Sequence, residues 1–115
     1  MQRAPYVEEF IGDISKSSER VRIVGTCVYV DTSENFIVVA DATGQIQVNV
    51  RESSENLDDL MSKIVRVLGT VIAYPDSGKI EINADFVRKF PVDLEKYQFI
   101  RQIENLTFKE PNDLI

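Results

Sequence analysis

The stretch VRIVGTCVYV at residues 21–30 returns as VRVLGTVIAY at residues 65–74, with valine, arginine, glycine and threonine at the same four places. Both copies are rich in β-branched residues, which predicts two β-strands. Nothing around either copy repeats, so a tandem array is not indicated. Coincidence among β-branched residues is one explanation. The other is that two strands meet the same bending constraint, because Gly25 and Gly69 lack the Cβ that would obstruct a sharp curve.

Alternation of apolar and polar residues predicts the remaining strands. Five strands are expected in all, at residues 20–30, 35–41, 45–51, 64–74 and 79–86. The inward positions on the third and fifth of them are Ile46, Val48, Val50, Ile80, Ile82, Ala84 and Phe86. The turn DATG ends in Gly44, for which a positive φ would cost nothing, and PDSG forms a second turn.

The period changes between the third and fourth strands. Ser54 can cap a short helix that carries Leu57, Leu60 and Met61 on one face. Three strands, a short helix and two strands are the element order of the OB-fold, an all-β, five-stranded Greek-key barrel. Its first and fourth strands are long, curved and adjacent, which accounts for the repeated stretch.

A second helical pattern follows the barrel. Asp93 is a good N-cap, and a helix is expected from about residue 93 to about residue 106. Its apolar positions include Tyr97, Phe99, Ile100, Ile103 and Leu106. This stripe would either fold back onto the barrel or meet a partner chain. The chain thus divides into a lead-in at residues 1–19, a barrel at 20–90 and a C-terminal interaction helix with its tail at 91–115.

Composition limits the kinds of catalytic and metal site that the chain can contain. The 115 residues fit one domain, and the chain has no histidine and one cysteine, which removes the usual zinc sites and nucleophilic pairs. No catalytic residue, cofactor or metal is therefore expected. The net charge of -6 repels phosphate at long range, so nucleic-acid binding would need a local basic patch or basic partners. The start MQRAPYVEEF resembles no secretory signal, no apolar run is long enough for a membrane span, and an intracellular protein is expected.

The phrases IGDIS, VRIVGTCVYV, ADATGQIQVNV and IVRVLGTVIAY resemble the OB domains of the middle and smallest subunits of replication protein A, archaeal or eukaryotic. The junction FPVDLEKYQFIRQI is similar to the entry into the C-terminal helix of the smallest subunit. The resemblance implies a heterotrimer whose C-terminal helices form one bundle, with the large subunit doing most of the binding to single-stranded DNA. It also implies a place in the nucleus, or in the cytoplasm or nucleoid of an archaeon. The interface helix would use Tyr97, Ile100, Ile103 and Leu106, with Phe99 at its edge.

An OB-fold grips single strands with outward aromatics and with lysine or arginine. The candidates are Tyr29, Phe36, Arg51, Tyr74 and Lys79. Each has an ordinary alternative: Phe36 could belong to the core, the tyrosines could simply end strands, and Lys79 could solubilise a turn. The outward rows of the third and fifth strands hold no aromatic, so direct binding by this chain should be weak.

Three functions follow as hypotheses. The leading one is a non-enzymatic scaffold subunit of a complex that resembles replication protein A, with other OB-fold subunits as partners and single-stranded DNA bound weakly or through the complex. A stand-alone binder of single-stranded DNA or RNA is the second. The third is an OB adaptor of the telomere-capping type that meets only proteins.

Overall fold

The computed structural model describes residues 5–51 and 56–90 of the chain. Its strands are β1 (Val7–Glu8), β2 (Arg20–Asp31), β3 (Phe36–Asp41), β4 (Gly44–Val50), β5 (Ile64–Tyr74) and β6 (Lys79–Lys89). Two short 3-10 helices, Ile11–Asp13 and Leu57–Leu60, precede β2 and β5. The helix expected at residues 93–106 lies outside the described residues.

Strands β2 to β6 close into a barrel. The sheet order is β1-β2-β3-β4-β6-β5, and a further antiparallel pairing of β2 with β5 joins the two sides. Strands β4 and β6 run parallel, whereas the other neighbours among these five are antiparallel. The predicted five-stranded barrel is confirmed, and the short β1 adds a parallel partner at one edge of β2.

The repeated stretch is explained by the pairing of β2 with β5. In this antiparallel ladder Val21 faces Gly69, and Gly25 faces Val65, so each glycine of one copy lies opposite the valine of the other. A Cβ on Gly25 would lie 2.5 Å from the carbonyl oxygen of Ala40. A Cβ on Gly69 would lie 2.5 Å from the carbonyl oxygen of Asn83. Both strands therefore use glycine where they bend against a neighbouring backbone.

The core fills the barrel interior with β-branched side chains. On β4 the alternation is as predicted, with Ile46, Val48 and Val50 buried. On β6 it reverses near the end, because the register with β5 shifts between Leu68 and Gly69. Phe86 is therefore not an inward residue, and the prediction that it faces the core was wrong. Val87 packs against the core instead, while the Arg88 guanidinium lies 4.4 Å above the Phe86 ring.

The element before β5 is a 3-10 turn rather than an α-helix. With three residues per turn, Leu57 and Leu60 share one side and are both buried. Met61 follows as the C-cap and is 45% exposed, so the prediction that it joins the apolar face was wrong. The Asn56 side chain accepts a hydrogen bond from the Asp58 N–H at 3.1 Å and caps the turn. The predicted cap, Ser54, lies outside the described residues.

A clamp built on Asp41 closes one end of the barrel. One carboxylate oxygen accepts the Ile11 N–H at 2.9 Å, and the other accepts the N–H groups of Thr43 and Gly44 at 2.7 and 3.2 Å. The Thr43 hydroxyl accepts the Gly12 N–H at 2.7 Å. The turn is thus held by a side chain rather than by a positive φ at Gly44; among the described glycines only Gly78 has one, at 71°. The clamp also brings Ile11 into the core.

No helix in the described part of the chain is long and apolar enough to cross a membrane. Across residues 5–51 and 56–90, His, Cys, Asp and Glu side chains form no group of three that could hold a metal ion.

Candidate nucleic-acid interface

Outward side chains of β3, β4 and β6, with the adjoining end of β2, form a surface that we call the outer face. Cross-strand pairing aligns them in rows across the sheet, since Tyr29 pairs with Val38, Val38 with Gln47, and Gln47 with Glu81. A neighbouring row runs from Asp31 through Phe36 and Asn49 to Asn83. The turns at residues 32–35 and 75–78 border this face, with Tyr74 and Lys79 beside the second turn.

Two aromatic rings meet at the β2 side of the outer face. The ring centroids of Tyr29 and Phe36 lie 5.8 Å apart with an interplanar angle of 37°. Tyr29 is 49% exposed, whereas Phe36 is half-buried and lies outside the interior core. The alternative that Phe36 fills the barrel is therefore not what the structure shows. The pair offers aromatic surface of the kind on which a base can stack.

One acidic side chain, that of Asp31, lies beside this aromatic pair. Asp31, the cross-strand partner of Phe36, accepts hydrogen bonds from the Ser33 N–H, the Ser33 hydroxyl and the Glu34 N–H. These bonds, the Glu34 one foremost, lower the pKa of the Asp31 carboxyl. A fixed negative charge beside the rings disfavours phosphate at that point.

The β6 side of the outer face is a connected polar network around Glu81. Its carboxylate accepts the Asn49 amide at 3.0 Å and the Tyr74 hydroxyl at 3.2 Å, and it pairs with the Lys79 ammonium at 2.9 Å. Lys79 also reaches the Gln47 amide oxygen at 3.4 Å. Within the two described ranges Glu81 is the single polar or charged residue that is buried, at 6% exposure.

Burial and hydrogen bonding act in opposite directions on Glu81. Desolvation raises the pKa of the carboxyl, but the hydrogen bonds it accepts and the Lys79 charge outweigh this effect. The net pKa lies below the ordinary value of 4.5, so Glu81 is charged at neutral pH. The hydrogen bond that the Tyr74 hydroxyl donates to Glu81 raises the pKa of that hydroxyl.

Arg51 lies apart from this network. It lines an open cavity of about 620 Å³ together with Arg20, Asn83 and Asp85. Arg20 is engaged there: its guanidinium lies 3.9 Å above the Tyr6 ring and 3.5 Å from the Asp85 carboxylate, which also accepts the Tyr6 hydroxyl at 2.6 Å. The structure thus separates the five predicted contacts into three groups: Tyr29 with Phe36, Tyr74 with Lys79, and Arg51 alone.

Neither a family model nor a curated protein sequence matches the chain. Solved structures do match. Telomere capping protein Ten1 from S. pombe has a TM-score of 0.64 at 14% identity, over 88% of this chain and 98% of Ten1. A chain of a replication protein A heterotrimer bound to single-stranded DNA has a TM-score of 0.56 at 21% identity, over 89% of this chain and 80% of that one.

The chain has the OB-fold. Its strand order, its parallel β4–β6 pair and its closure through β2 and β5 are those of this barrel. Asparaginyl-tRNA synthetase from Pyrococcus horikoshii shares the fold too, with a TM-score of 0.59 at 18% identity, over 78% of this chain but only 25% of the enzyme. Likeness at these identities establishes the fold alone. Evidence on function has to come from the residues of the outer face.

The sequence patterns did not indicate Glu81 and Asn49 as residues of the candidate site. They placed both on outward rows, but they could not show that parallel pairing of β4 with β6 sets Gln47 beside Glu81 and Asn49 beside Asn83. The one available signal was a lone carboxylate between Ile80 and Ile82, on a strand where both neighbours contribute to or pack against the core.

Because Glu81 is charged at neutral pH, the free energy of unfolding is expected to fall as the solution is made acidic. Because the pKa of Glu81 is lower in the folded chain, its contribution is present above pH 4.5 and is lost as the pH falls through the folded-state pKa. We expect E81Q to be less stable than the unmodified chain at pH 7, with a difference that narrows as the pH falls towards 3. Urea unfolding at several pH values measures this. A difference that stays constant over the whole range would contradict it.

Proposed function

We propose that this chain is a structural, non-enzymatic OB-fold subunit of a hetero-oligomeric complex that binds single-stranded DNA, and that it assembles through its C-terminal segment. The observation that carries the proposal is the charge balance of the outer face. Lys79, the cation at the β6 border of this face, is paired with Glu81, and the neighbouring positions Gln47, Asn49 and Asn83 are amides. A face of this kind gives little of the phosphate contact that dominates affinity for nucleic acid.

The matched structures support the same class of protein. This chain covers 98% of the Ten1 chain and 80% of the replication protein A chain, whereas it covers 25% of the synthetase. Ten1 is a telomere capping protein, and the replication protein A chain belongs to a heterotrimer bound to single-stranded DNA.

The sequence pattern after the barrel supports assembly through the C-terminal segment. Phe90 is the last described residue, and its N–H donates to the Ile64 carbonyl at 2.8 Å. Its ring centroid lies 6.0 Å from the Arg66 guanidinium. The last described residue is therefore anchored to β5. The apolar stripe predicted at residues 93–106 is the surface we assign to partner subunits.

A pair of charge substitutions tests this assignment. In the full-length chain, I103D places a carboxylate within the predicted apolar stripe, while Q102D adds the same charge on the polar side. We expect I103D to abolish co-purification with other OB-fold subunits from the native source and Q102D to retain it. Thermal unfolding of both variants checks that the barrel is intact. Equal recovery of partner subunits with the two variants would refute assembly through this helix.

A second candidate, direct binding of single strands by the isolated chain, is favoured by the exposed Tyr29 and its contact with Phe36. Two stacking aromatics contribute about 1 to 3 kcal/mol each. Nanomolar binding of an oligonucleotide by the isolated chain at physiological salt would favour this candidate over the scaffold.

A further inference from the structure

Glu81 engages three groups of the outer face that could contact nucleic acid. Lys79 would otherwise offer its ammonium to a phosphate, Tyr74 its ring and hydroxyl, and Asn49 its amide. All three instead direct a proton donor at the Glu81 carboxylate, at 2.9, 3.2 and 3.0 Å respectively. The face is thus occupied by an anion that belongs to the protein itself.

The negative charge is not required by the strand pairing. Glu81 lies between its cross-strand partners Gln47 and Ile72, and the ladder there consists of backbone hydrogen bonds. A glutamine would fill nearly the same volume and keep an oxygen that accepts from Asn49 and Tyr74. It would avoid the cost of burying a charge. What glutamine lacks is the charge that neutralises Lys79, whose side chain is 55% exposed and faces solvent beside the turn.

We propose that Glu81 is a specificity-determining residue that holds Lys79 against the barrel and so keeps the outer face from gripping the phosphates of a single strand. In this role the carboxylate occupies the place that a phosphate would take beside Lys79, and it repels a phosphate that approaches. The inference rests on the proposed function, because it explains how a barrel with aromatic side chains on its nucleic-acid side is kept a weak binder. It assigns to one residue the part of that weakness that involves Lys79.

The test uses the full-length chain and a fluorescein-labelled oligothymidylate of about 12 nucleotides, within the range of site sizes of OB-folds. Fluorescence anisotropy gives the dissociation constant over a salt series. E81Q is compared with D76N, which removes one negative charge from the exposed turn at residues 75–78 and changes the net charge equally. We expect E81Q to bind about tenfold tighter than the unmodified chain, with a salt slope steeper by about 0.7, the value for one added phosphate contact on a single strand. D76N should change affinity less than about twofold.

A double-mutant cycle asks whether the gain acts through Lys79. K79Q should weaken binding by E81Q far more than binding by the unmodified chain, in which that ammonium is already paired, and it should thereby cancel the gain in E81Q. If E81Q does not fold, judged by circular dichroism, Glu81→Thr removes the charge with a residue that suits a strand. An affinity gain no larger than that of D76N, or a gain that survives K79Q, would overturn the proposal.

The outcomes separate this inference from the proposed function. Co-purification with OB-fold subunits together with no gain in the charge-removed variant overturns the role of Glu81 alone. A clear gain that depends on Lys79, with no partner subunit recovered, supports the role of Glu81 and counts against the scaffold.

Discussion

Replacing either bending glycine, Gly25 or Gly69, by alanine is expected to destabilise the barrel strongly. In G25A the new Cβ would lie 2.5 Å from the Ala40 carbonyl oxygen and 2.7 Å from a Val39 methyl. In G69A it would lie 2.5 Å from both the Asn83 carbonyl oxygen and an Ile82 methyl. Backbone cannot yield as a flexible side chain does. The free energy of unfolding should therefore fall by about 3 kcal/mol or more.

Gly44 provides the matched control, because an added Cβ there would meet no atom closer than 3.9 Å and its φ is not positive. G44A should change stability by less than about 0.5 kcal/mol. Urea unfolding followed by far-UV circular dichroism measures all three variants. A G69A chain as stable as G44A would mean that β5 and β6 are not packed as closely as the structure shows.

Removal of the Asp41 carboxylate is the other substitution with a large expected effect. D41A leaves the N–H groups of Ile11, Thr43 and Gly44 without their acceptor. It also removes the hydrogen bond between the first 3-10 helix and the β3–β4 hairpin. The Ile11 N–H is part-buried, and Ile11 itself is 5% exposed within the core. Hydrogen bonds to a charged group stabilise more than neutral ones, so we expect a loss of about 3 kcal/mol.

Asp31 is the control for that experiment, since its carboxylate forms a similar turn with Ser33 and Glu34. All its bonds lie within three residues, and none ties one element to another. D31A should therefore cost clearly less than D41A in the same urea experiment. Equal losses would show that the contact with Ile11 adds nothing beyond local turn formation.

Local patterns were enough for much of the barrel. The strict alternation of β4 depends on neighbours in sequence, and its inward residues Ile46, Val48 and Val50 were predicted correctly. The repeated stretch also predicted Gly25 and Gly69 as bending positions, although the backbone that excludes a Cβ there belongs to other strands.

Pairing between distant strands decided what the patterns missed. Phe86 faces outward because the β5–β6 register shifts at Leu68 and Gly69, and no feature within β6 signals that shift. Met61 is exposed because the turn before it has three residues per turn rather than 3.6. The turn at Gly44 is held by Asp41, whose other oxygen binds a residue 30 positions earlier.

The order of the strands, the inward face of β4 and the lack of histidine chemistry follow from side-chain type and short-range periodicity, so they can be predicted from the sequence alone. What the outer face offers a ligand depends instead on tertiary contacts. The charge available there depends on Lys79 meeting Glu81 and on Asn49 reaching across from β4. Such contacts exist only once the parallel register of β4 and β6 is fixed by closure of the barrel.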